Sequence, residues 1–242
     1  MVILTNKRFE ELVRRRVEEA KQEDQSRYEM ELLMKQANIA SLQSQINPHF
    51  LYNALECIRG QAVMDGSDDI ARITQALSRF FRYSISGKKD LVTVGEELEN
   101  AGNYVTIQQY RFRDKFVLES EVEEGVSVLD AVLPKLSLQP ILENAIVHGI
   151  LPNKARHGSL FLTICVVNDH IHFTVMDNGL GIPPEKIPLL TQTQSSGYGL
   201  KNVHERLLLT YGENYGLKIN SIPNESTMIT FTIPVLSKEQ NL

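Results

Sequence analysis

The chain has 242 residues, 42% of them hydrophobic, which is enough for a packed core and allows one large domain or two modest ones. Its formal charge of −5 argues against a general nucleic-acid binder, because affinity for phosphate backbones requires clustered Lys and Arg. The two cysteines, Cys57 and Cys165, fit no metal-ligand spacing, so we predict two reduced thiols of a cytosolic protein.

The apolar runs of this sequence are short. FLTICVV at 161–167 is one of the longest, far below the roughly 20 residues that a membrane-spanning helix requires. We therefore predict that no segment of this chain crosses a membrane. The opening MVILT is too short for a signal peptide, although it is compatible with the trailing edge of a longer protein.

The first 40 residues have the pattern of one long helix. Between residues 7 and 35, charges of both signs are dense, and Gly and Pro are absent. Apolar residues recur at helical spacing in a narrow stripe, formed by Phe9, Leu12, Val13, Val17 and Ala20, then by Met30, Leu33, Ala37 and Ala40. A narrow stripe suits a two-stranded coiled coil, although KQEDQSR at 21–27 interrupts the heptads. A solvated single helix is the alternative.

A helical hairpin is predicted next. Its helices cover residues 45–62 and 70–84, and DGSDD at 65–69 supplies turn and cap residues between them. Pro48 interrupts the first of these helices and directly precedes His49. Since a proline inside a helix costs roughly 3 kcal/mol, this position requires an explanation.

The pattern then changes from helical to mixed. A further helix is predicted over 94–111, because Thr93 stands three residues before Glu96, the spacing of a capping box. Beyond it, β-rich runs alternate with helical stretches at 134–149 and 198–211. The β-rich runs are KFVLESEV, LFLTICVV, HIHFTVMD, GLKINSI and TMITFTIP. This order predicts an α+β fold: an N-terminal helical coiled coil and hairpin, then an α/β sandwich whose mixed sheet is covered by helices on one face.

Two glycine-bearing loops fall in the C-terminal half. In DNGLGI, Asp177 ends a predicted strand and precedes Gly179 and Gly181, which allow positive φ and close approach to a planar ligand. A buried carboxylate there can accept a hydrogen bond from an exocyclic amine such as that of adenine; a simple hairpin turn is the alternative. In SSGYGLKNV, Gly197 and Gly199 precede a helix whose free N–H groups and dipole favour a phosphate. A tight helix-start turn is the alternative there.

A cluster of polar residues interrupts an apolar helix in LENAIVHG. Asn144 and His148 are four residues apart and hence on one face, and Glu143 is adjacent. A satisfied core amide usually explains one such residue. Three within six positions indicate a binding site, because buried polar groups need partners.

These three segments, in this order, resemble the nucleotide-binding sandwich of the ATPase superfamily shared by gyrase, the Hsp90 chaperones, MutL and histidine kinases. The resemblance implies that ATP binds, that Asp177 recognises the adenine and that Asn144 holds Mg²⁺, with His148 in the same site. It also implies a base pocket, a phosphate end and a mobile lid, formed respectively by Gly179 and Gly181, by Gly197, Gly199 and Asn202, and by residues 182–195.

The sequence of the predicted hairpin indicates one family within this superfamily. QINPHFLYNALECI, with LSRFFRYS and VGEELENAGNYVTIQQYRF downstream, resembles the histidine-containing dimerisation region of the LytS/YesM-like sensor histidine kinases, and the YesM-like branch fits best. The resemblance covers about residues 41–234, and it implies that His49 is the phospho-acceptor. It also implies three domains: a signalling helix over 1–40, a dimerisation and histidine phosphotransfer region over 41–111, and an ATP-binding catalytic domain over 112–242.

The surroundings of His49 suit this role. A kink before it leaves carbonyls without partners, which is tolerable only where water or a docking domain satisfies them. A neutral imidazole nitrogen is a competent nucleophile near physiological pH. Asn53, one turn further, has no useful basicity, but its amide can hold a water. We therefore predict that Asn53 positions the water that dephosphorylates a docked response regulator; a solvated or packing amide is the alternative.

Two departures from the family pattern affect the site. Many histidine kinases have an acidic residue directly after the phospho-acceptor, whereas this chain has Phe50, so Glu143 is only a candidate proton acceptor. Thr227 stands where the superfamily often has a Thr after a glycine-rich turn, and the resemblance implies a place for it in the nucleotide site, although no glycine flanks it in PNESTMITF.

The sequence as a whole predicts the cytoplasmic catalytic portion of a membrane-anchored sensor histidine kinase, whose sensor precedes residue 1. We expect a homodimer that uses ATP and Mg²⁺ to phosphorylate His49, and then passes the phosphoryl group to the receiver domain of a response regulator. No nucleic-acid partner is expected. The alternatives are a serine kinase or ATPase of the same superfamily, in which His49 is inert, and a coiled-coil scaffold with a degenerate nucleotide pocket.

Overall fold

The structure, a computed structural model, describes residues 48–85, 90–113, 115–123, 126–192 and 198–235. The chain divides into two compact units, residues 1–51 and 52–242. Within the first unit, residues 48–51 are described, and they form the first turn of a helix. The predicted coiled-coil helix over 7–40 lies outside the described residues and stays a prediction.

Two helices form the predicted hairpin. Helix α1 spans Pro48–Met64 and helix α2 spans Asp68–Ile85, with Gly66 at a φ of 66° in the turn between them. Pro48 is the first helical residue, where its missing N–H interrupts no intrahelical hydrogen bond. The residues before it lie outside the described ranges, so the kink that the sequence suggests stays a prediction.

The hairpin leaves much apolar surface exposed. Its helices are joined by the Tyr52 hydroxyl, which donates to the carbonyl of Phe81 at 3.3 Å, and by the Arg82 guanidinium, which lies 5.4 Å from the centre of the Tyr52 ring. The large apolar side chains that remain exposed on α1 and α2 are Phe50, Ile58, Val63, Met64, Ile70 and Ile85. Neither these helices nor the others in the described ranges combine the length and hydropathy needed to cross a membrane.

A capped helix links the hairpin to the sheet. Strand β1, Leu91–Thr93, leads directly into helix α3, Val94–Arg111, over the residues that the sequence predicted. The capping box is formed: the Thr93 hydroxyl accepts from the Glu96 N–H at 3.1 Å, and the Glu96 carboxylate accepts from the Thr93 N–H at 2.8 Å. Strand β1 pairs antiparallel with a short strand later in the chain, Val132–Pro134, which we number β3.

The main sheet is mixed and has five strands. These are β2, β4, β5, β6 and β7, over Phe116–Val122, Gly158–Val167, His170–Asp177, Lys218–Ile222 and Ser226–Pro234. Their spatial order is β2-β4-β5-β7-β6, in which β2 and β4 are parallel and the other pairs are antiparallel. Buried and partly exposed residues alternate along β4, β5 and β7, so one face of the sheet builds the core.

Helices provide the other half of the core. They are α3, α4 over Val126–Asp130, α5 over Leu138–Glu143, a π-helix over Asn144–Ile150, α6 over Ile187–Gln192 and α7 over Tyr198–Tyr211. The helix predicted at 134–149 is thus wrong at its start, because residues 132–134 form β3, and it changes to π-geometry after Glu143. The mixed α+β fold is confirmed; the dimeric bundle and the division into domains at residues 40 and 111 stay predictions.

Candidate functional site

A cavity of about 470 Å³ opens at one end of the sheet. The π-helix, the loop after β5, α6 and β7 surround it. Its lining residues are Asn144, His148, Gly149, Gly181, Ile182, Pro183, Lys186, Leu190 and Thr227. The volume lies within the range of small-molecule sites, which are concave, mostly apolar and have a few placed polar groups.

A buried carboxylate, that of Asp177, lies next to the residues that line this cavity. Asp177 is the last residue of β5, is 2% exposed, and pairs across the sheet with Thr227, which is also 2% exposed. One of its oxygens, Oδ1, accepts the N–H of Gly179 at 2.8 Å. Burial raises the pKa of Asp177 to about 6, although the Gly179 hydrogen bond and the charge of Arg156 oppose that shift. The carboxyl group is therefore mostly ionised at neutral pH and able to accept a hydrogen bond from a ligand.

Two glycines leave room for the carboxylate, and one of them, Gly149, lines the cavity. A Cβ placed on Gly149 would lie 2.6 Å from Asp177 Oδ1, and one on Gly179 would lie 2.2 Å from the carbonyl carbon of Gly149. The N–H of Leu180 donates to the carbonyl of Gly149 at 3.0 Å, which fixes this close approach. The sequence pattern indicated Gly179 as a site residue but not Gly149, which is the last residue of the segment LENAIVHG.

The loop after β5 is held on its far side as well. Gly181 has a φ of 63°, and a Cβ there would lie 2.1 Å from the carbonyl oxygen of Ile222, so only glycine fits. The guanidinium of Arg156 donates to three carbonyl oxygens: those of Gly179 at 3.1 Å, Asn224 at 3.1 Å and Glu225 at 2.6 Å. Arg156 therefore ties the loop to the β6–β7 turn, a role that sequence reasoning missed.

The polar residues of LENAIVHG separate into two environments. Asn144 and His148 both line the cavity from the π-helix, as their shared face predicted. Glu143 is exposed at the end of α5 and does not line this cavity. π-Turns occur frequently at functional sites, which agrees with the position of this one.

A buried carboxylate from α3 anchors the helix that leads into this wall. Glu97 has no exposed surface, and the Tyr83 hydroxyl of α2 donates to it. Three consecutive N–H groups at the start of α5 also donate to it: Leu136 at 2.5 Å, and Ser137 and Leu138 at 3.0 Å each. Glu97 thus caps α5 from a different helix, where the Ser137 side chain makes no capping bond.

Arg206 holds the same turn from the opposite side. Its guanidinium, on α7, donates to the carbonyl of Lys135 and, at 2.9 Å, to that of Leu136. Leu136 has a φ of 61°, a left-handed conformation that is unfavourable for a side chain of this kind. The two charged groups, Glu97 and Arg206, stabilise this turn by satisfying both its N–H and its C=O groups.

The remaining predicted residues lie elsewhere. Gly199 and Asn202 are exposed on α7 and do not line the cavity, and Gly197 lies outside the described residues. Of the predicted lid, Ile182, Pro183, Lys186 and Leu190 line the cavity, and residues 193–195 lie outside the described ranges. His49 and Asn53 are both exposed on α1.

Metal-binding clusters are absent from the described part of the chain: no group of three His, Cys, Asp or Glu side chains comes together there. Cys57 and Cys165 are free thiols. Mg²⁺ held by Asn144 stays a prediction.

Two family models match the chain. The first, described as histidine kinase, covers residues 37–116, and the second, described as histidine kinase-, DNA gyrase B- and HSP90-like ATPase, covers residues 130–237. Both regions lie in the order that the sequence predicted. The match to this ATPase family implies ATP binding.

Curated relatives extend the match across most of the chain. Sensor histidine kinase YesM of Bacillus subtilis is 37% identical over 85% of this chain, and sensor histidine kinase YpdA of Escherichia coli is 37% identical over 84%. Sensor protein LytS of Bacillus subtilis is 31% identical over 84%. The chain spans 35% of the length of each of these relatives. Among solved structures, the histidine kinase domain of an Erythrobacter litoralis EL346 blue-light activated kinase covers 83% of this chain and 91% of its own, at 18% identity and a TM-score of 0.46.

The two matched regions, a histidine kinase region followed by an ATPase region, are those of a histidine kinase. The chain belongs to the LytS/YesM-like family of these kinases.

Proposed function

We propose that this chain transfers the γ-phosphoryl group of ATP to His49, and then to an aspartate of a response regulator. The observation that carries the proposal is the buried Asp177 carboxylate, which packs against Gly149 of the cavity lining. A carboxylate there, with glycine on both sides, suits an amine-bearing planar ligand such as adenine. Its place in a chain with histidine kinase and ATPase family matches supports phosphoryl transfer as the reaction.

The binding roles follow the positions of the residues. Asp177 accepts from the adenine amine, with Thr227 beside it, and Gly179 and Gly181 shape the loop that borders the base. Asn144 is the proposed ligand of Mg²⁺, which neutralises charge on the phosphates when it is bound. His148, which also lines the cavity, completes the polar side of the site. Gly197, Gly199 and Asn202 remain the proposed phosphate end.

The chemical step belongs to His49. A ring nitrogen of its neutral imidazole attacks the γ-phosphorus in line, the bond to the ADP oxygen breaks, and the ring proton passes to a base, for which Glu143 is the candidate. The phosphoryl group is then transferred to a carboxylate oxygen of the regulator, the P–N bond breaks, and a proton returns to the ring, which restores the neutral imidazole.

The proposal is tested by incubating the protein with γ-labelled ATP and Mg²⁺. Label that is lost in acid but retained in base identifies phosphohistidine. Acid-stable label would instead identify a serine kinase of the same superfamily. Failure to bind ATP in the presence of Mg²⁺ would favour a nucleotide-free scaffold.

Asp177→Asn is expected to weaken nucleotide binding by roughly ten- to a hundredfold, since a charge-assisted hydrogen bond contributes about 1.5–3 kcal/mol. Calorimetric titration with ADP measures the change.

Because the pKa of Asp177 is raised to about 6, wild-type affinity should be constant above neutrality and fall as pH drops through 6. Asp177→Asn should lose the Asp177 part of this pH dependence and His148→Gln should keep it, while the terminal phosphate of ADP, which also gains a proton at about pH 6, contributes equally in all three proteins. Unchanged affinity in folded Asp177→Asn would exclude Asp177 from the site.

A dimer is the expected state of the protein in solution. We propose that a second copy covers exposed apolar side chains of α1 and α2, giving a four-helix bundle with twofold symmetry. The chain has a mass of 27.4 kDa, and light scattering at micromolar concentration should report twice that value. A monomer under these conditions would contradict the bundle.

The full-length protein and its location in the cell are also proposals. The relatives named as sensors are longer than this chain, which spans 35% of their length. We propose that it is the catalytic portion of a membrane receptor and acts on the cytoplasmic side, where it meets the receiver domain of the regulator.

A further inference from the structure

Two hydroxyl groups face each other beside the cavity, of which Thr227 is a lining residue. Ser221 of β6 and Thr227 of β7 are cross-strand partners, and their side-chain oxygens are 3.0 Å apart. Thr227 lines the cavity, whereas Ser221 stands behind it. The distance alone does not decide which hydroxyl donates.

The other hydrogen-bond partners of Ser221 determine which of the two hydroxyls donates. Ser221 Oγ lies 2.7 Å from the carbonyl oxygen of Ser226, and since a carbonyl cannot donate, the Ser221 hydrogen must point there. The N–H of Ile182 donates to Ser221 Oγ at 2.8 Å. A hydroxyl has one hydrogen and two lone pairs, so the second lone pair of Ser221 faces Thr227. Thr227 is therefore the donor of this pair.

The consequence concerns the polarity of the cavity wall. With its hydrogen directed at Ser221, Thr227 Oγ1 offers lone pairs alone to a ligand. Its neighbour across the strands, Asp177, is also an acceptor when ionised. Two acceptors side by side favour a ligand group that donates.

We infer that Ser221 is a specificity-determining positioning residue, which fixes the Thr227 hydroxyl as an acceptor and so favours a nucleobase with an exocyclic amine over one with a carbonyl at the same position. The inference rests on the proposed function, since it assigns the base to this end of the cavity. Ser221 itself touches no ligand. It acts by holding the Thr227 hydrogen away from the cavity.

Comparison of ADP with IDP tests whether the Thr227 hydroxyl is fixed as an acceptor. The two nucleotides have the same sugar and phosphates, but hypoxanthine has a carbonyl where adenine has its amine. In the wild-type protein that carbonyl faces two acceptors, so ADP should bind more tightly than IDP. Once Ser221 is removed, the Thr227 hydroxyl can turn and donate to the carbonyl. The ratio of the two dissociation constants is therefore the quantity that reports the polarity of Thr227.

The experiment is calorimetric titration of both nucleotides with Mg²⁺ into the wild type and three variants. Ser221→Ala should lower the preference for ADP by about five- to tenfold, the order expected when one hydrogen-bonding group can invert its polarity. Ser221→Thr keeps the hydroxyl and should keep the preference. Ser226→Ala is the matched control, because it makes the same chemical change on the next strand and leaves the carbonyl of that residue in place.

The outcomes separate the inference from the proposed function. Equal weakening of ADP and IDP by Ser221→Ala would show that Ser221 only supports the loop through Ile182, and would overturn the inference. Equal wild-type affinities for ADP and IDP would overturn it too, while leaving ATP binding intact. If Ser221→Ala does not fold, Thr227→Val replaces it, since it removes the acceptor but keeps the bonds of Ser221 to Ser226 and Ile182. An undiminished preference in that variant would also refute the inference, and a wild type that binds neither nucleotide would refute the proposed function with it.

Discussion

His49→Gln is expected to abolish transfer of label from γ-labelled ATP to the protein. The glutamine amide is not nucleophilic at neutral pH, whereas the imidazole ring has a nitrogen lone pair that can form a bond to phosphorus. The side chain of His49 is exposed, and substitutions at such positions usually change stability by no more than about 0.5 kcal/mol. The variant should therefore remain folded and bind ADP as the wild type does. Acid-labile label on the variant would place the phospho-acceptor elsewhere.

Asn53→Ala provides the control on the same helix. An alanine removes the amide that we propose to position a water, and the His49 imidazole and the residues of the nucleotide site are retained. Most of the His49 phosphorylation should remain, while loss of phosphate from a phosphorylated response regulator slows. A variant that loses autophosphorylation, yet dephosphorylates the regulator at the wild-type rate, would assign Asn53 to the kinase step instead.

The parts of the fold that sequence could predict are those with a local signal. Thr93 and Glu96 signal a helix start by their spacing alone, and α3 begins there. The alternating pattern of HIHFTVMD predicts β5 over the same residues that form it. Asp177, at the end of that strand, could be selected because DNGLGI occurs in order with LENAIVHG and SSGYGLKNV, whereas the hexamer alone fits a hairpin turn equally well.

The parts that sequence missed depend on distant residues. Arg156 contacts carbonyls up to 69 positions away, and Ser221 acts through a partner in the neighbouring strand. Neither has a pattern around it that distinguishes it from a surface residue. The π-geometry after Glu143 was missed for a different reason: residues four apart remain neighbours in both helix types, so Asn144 and His148 give the same signal in either.

Glu97 is the clearest case of a residue that sequence could not assign. Within VGEELEN it is one of three acidic residues of α3 and has no feature that separates it from Glu96 or Glu99. In the structure it is fully buried, and its partners at the start of α5 are 39 to 41 positions away in the chain. The hydroxyl of Tyr83 extends the contact to α2. One carboxylate therefore joins the second helix of the hairpin to α5, which continues into the π-helix that carries Asn144 and His148.

Glu97→Gln is expected to lower the free energy of unfolding by about 3–5 kcal/mol, because an amide replaces one of two accepting oxygens by a donor and leaves buried N–H groups without partners. The cost is not relieved by water, since Glu97 has no exposed surface. Denaturant unfolding measures the change, and nucleotide affinity should fall with it, because the turn at Leu136 sets the position of α5. Glu99→Gln is the matched control: it lies two residues further on α3, and its ion pair with Arg79 is exposed, at 3.3 Å. Exposed pairs contribute at most about 1 kcal/mol, so this variant should unfold close to the wild type. If both variants unfold alike, the contacts of Glu97 do not hold α5 in place.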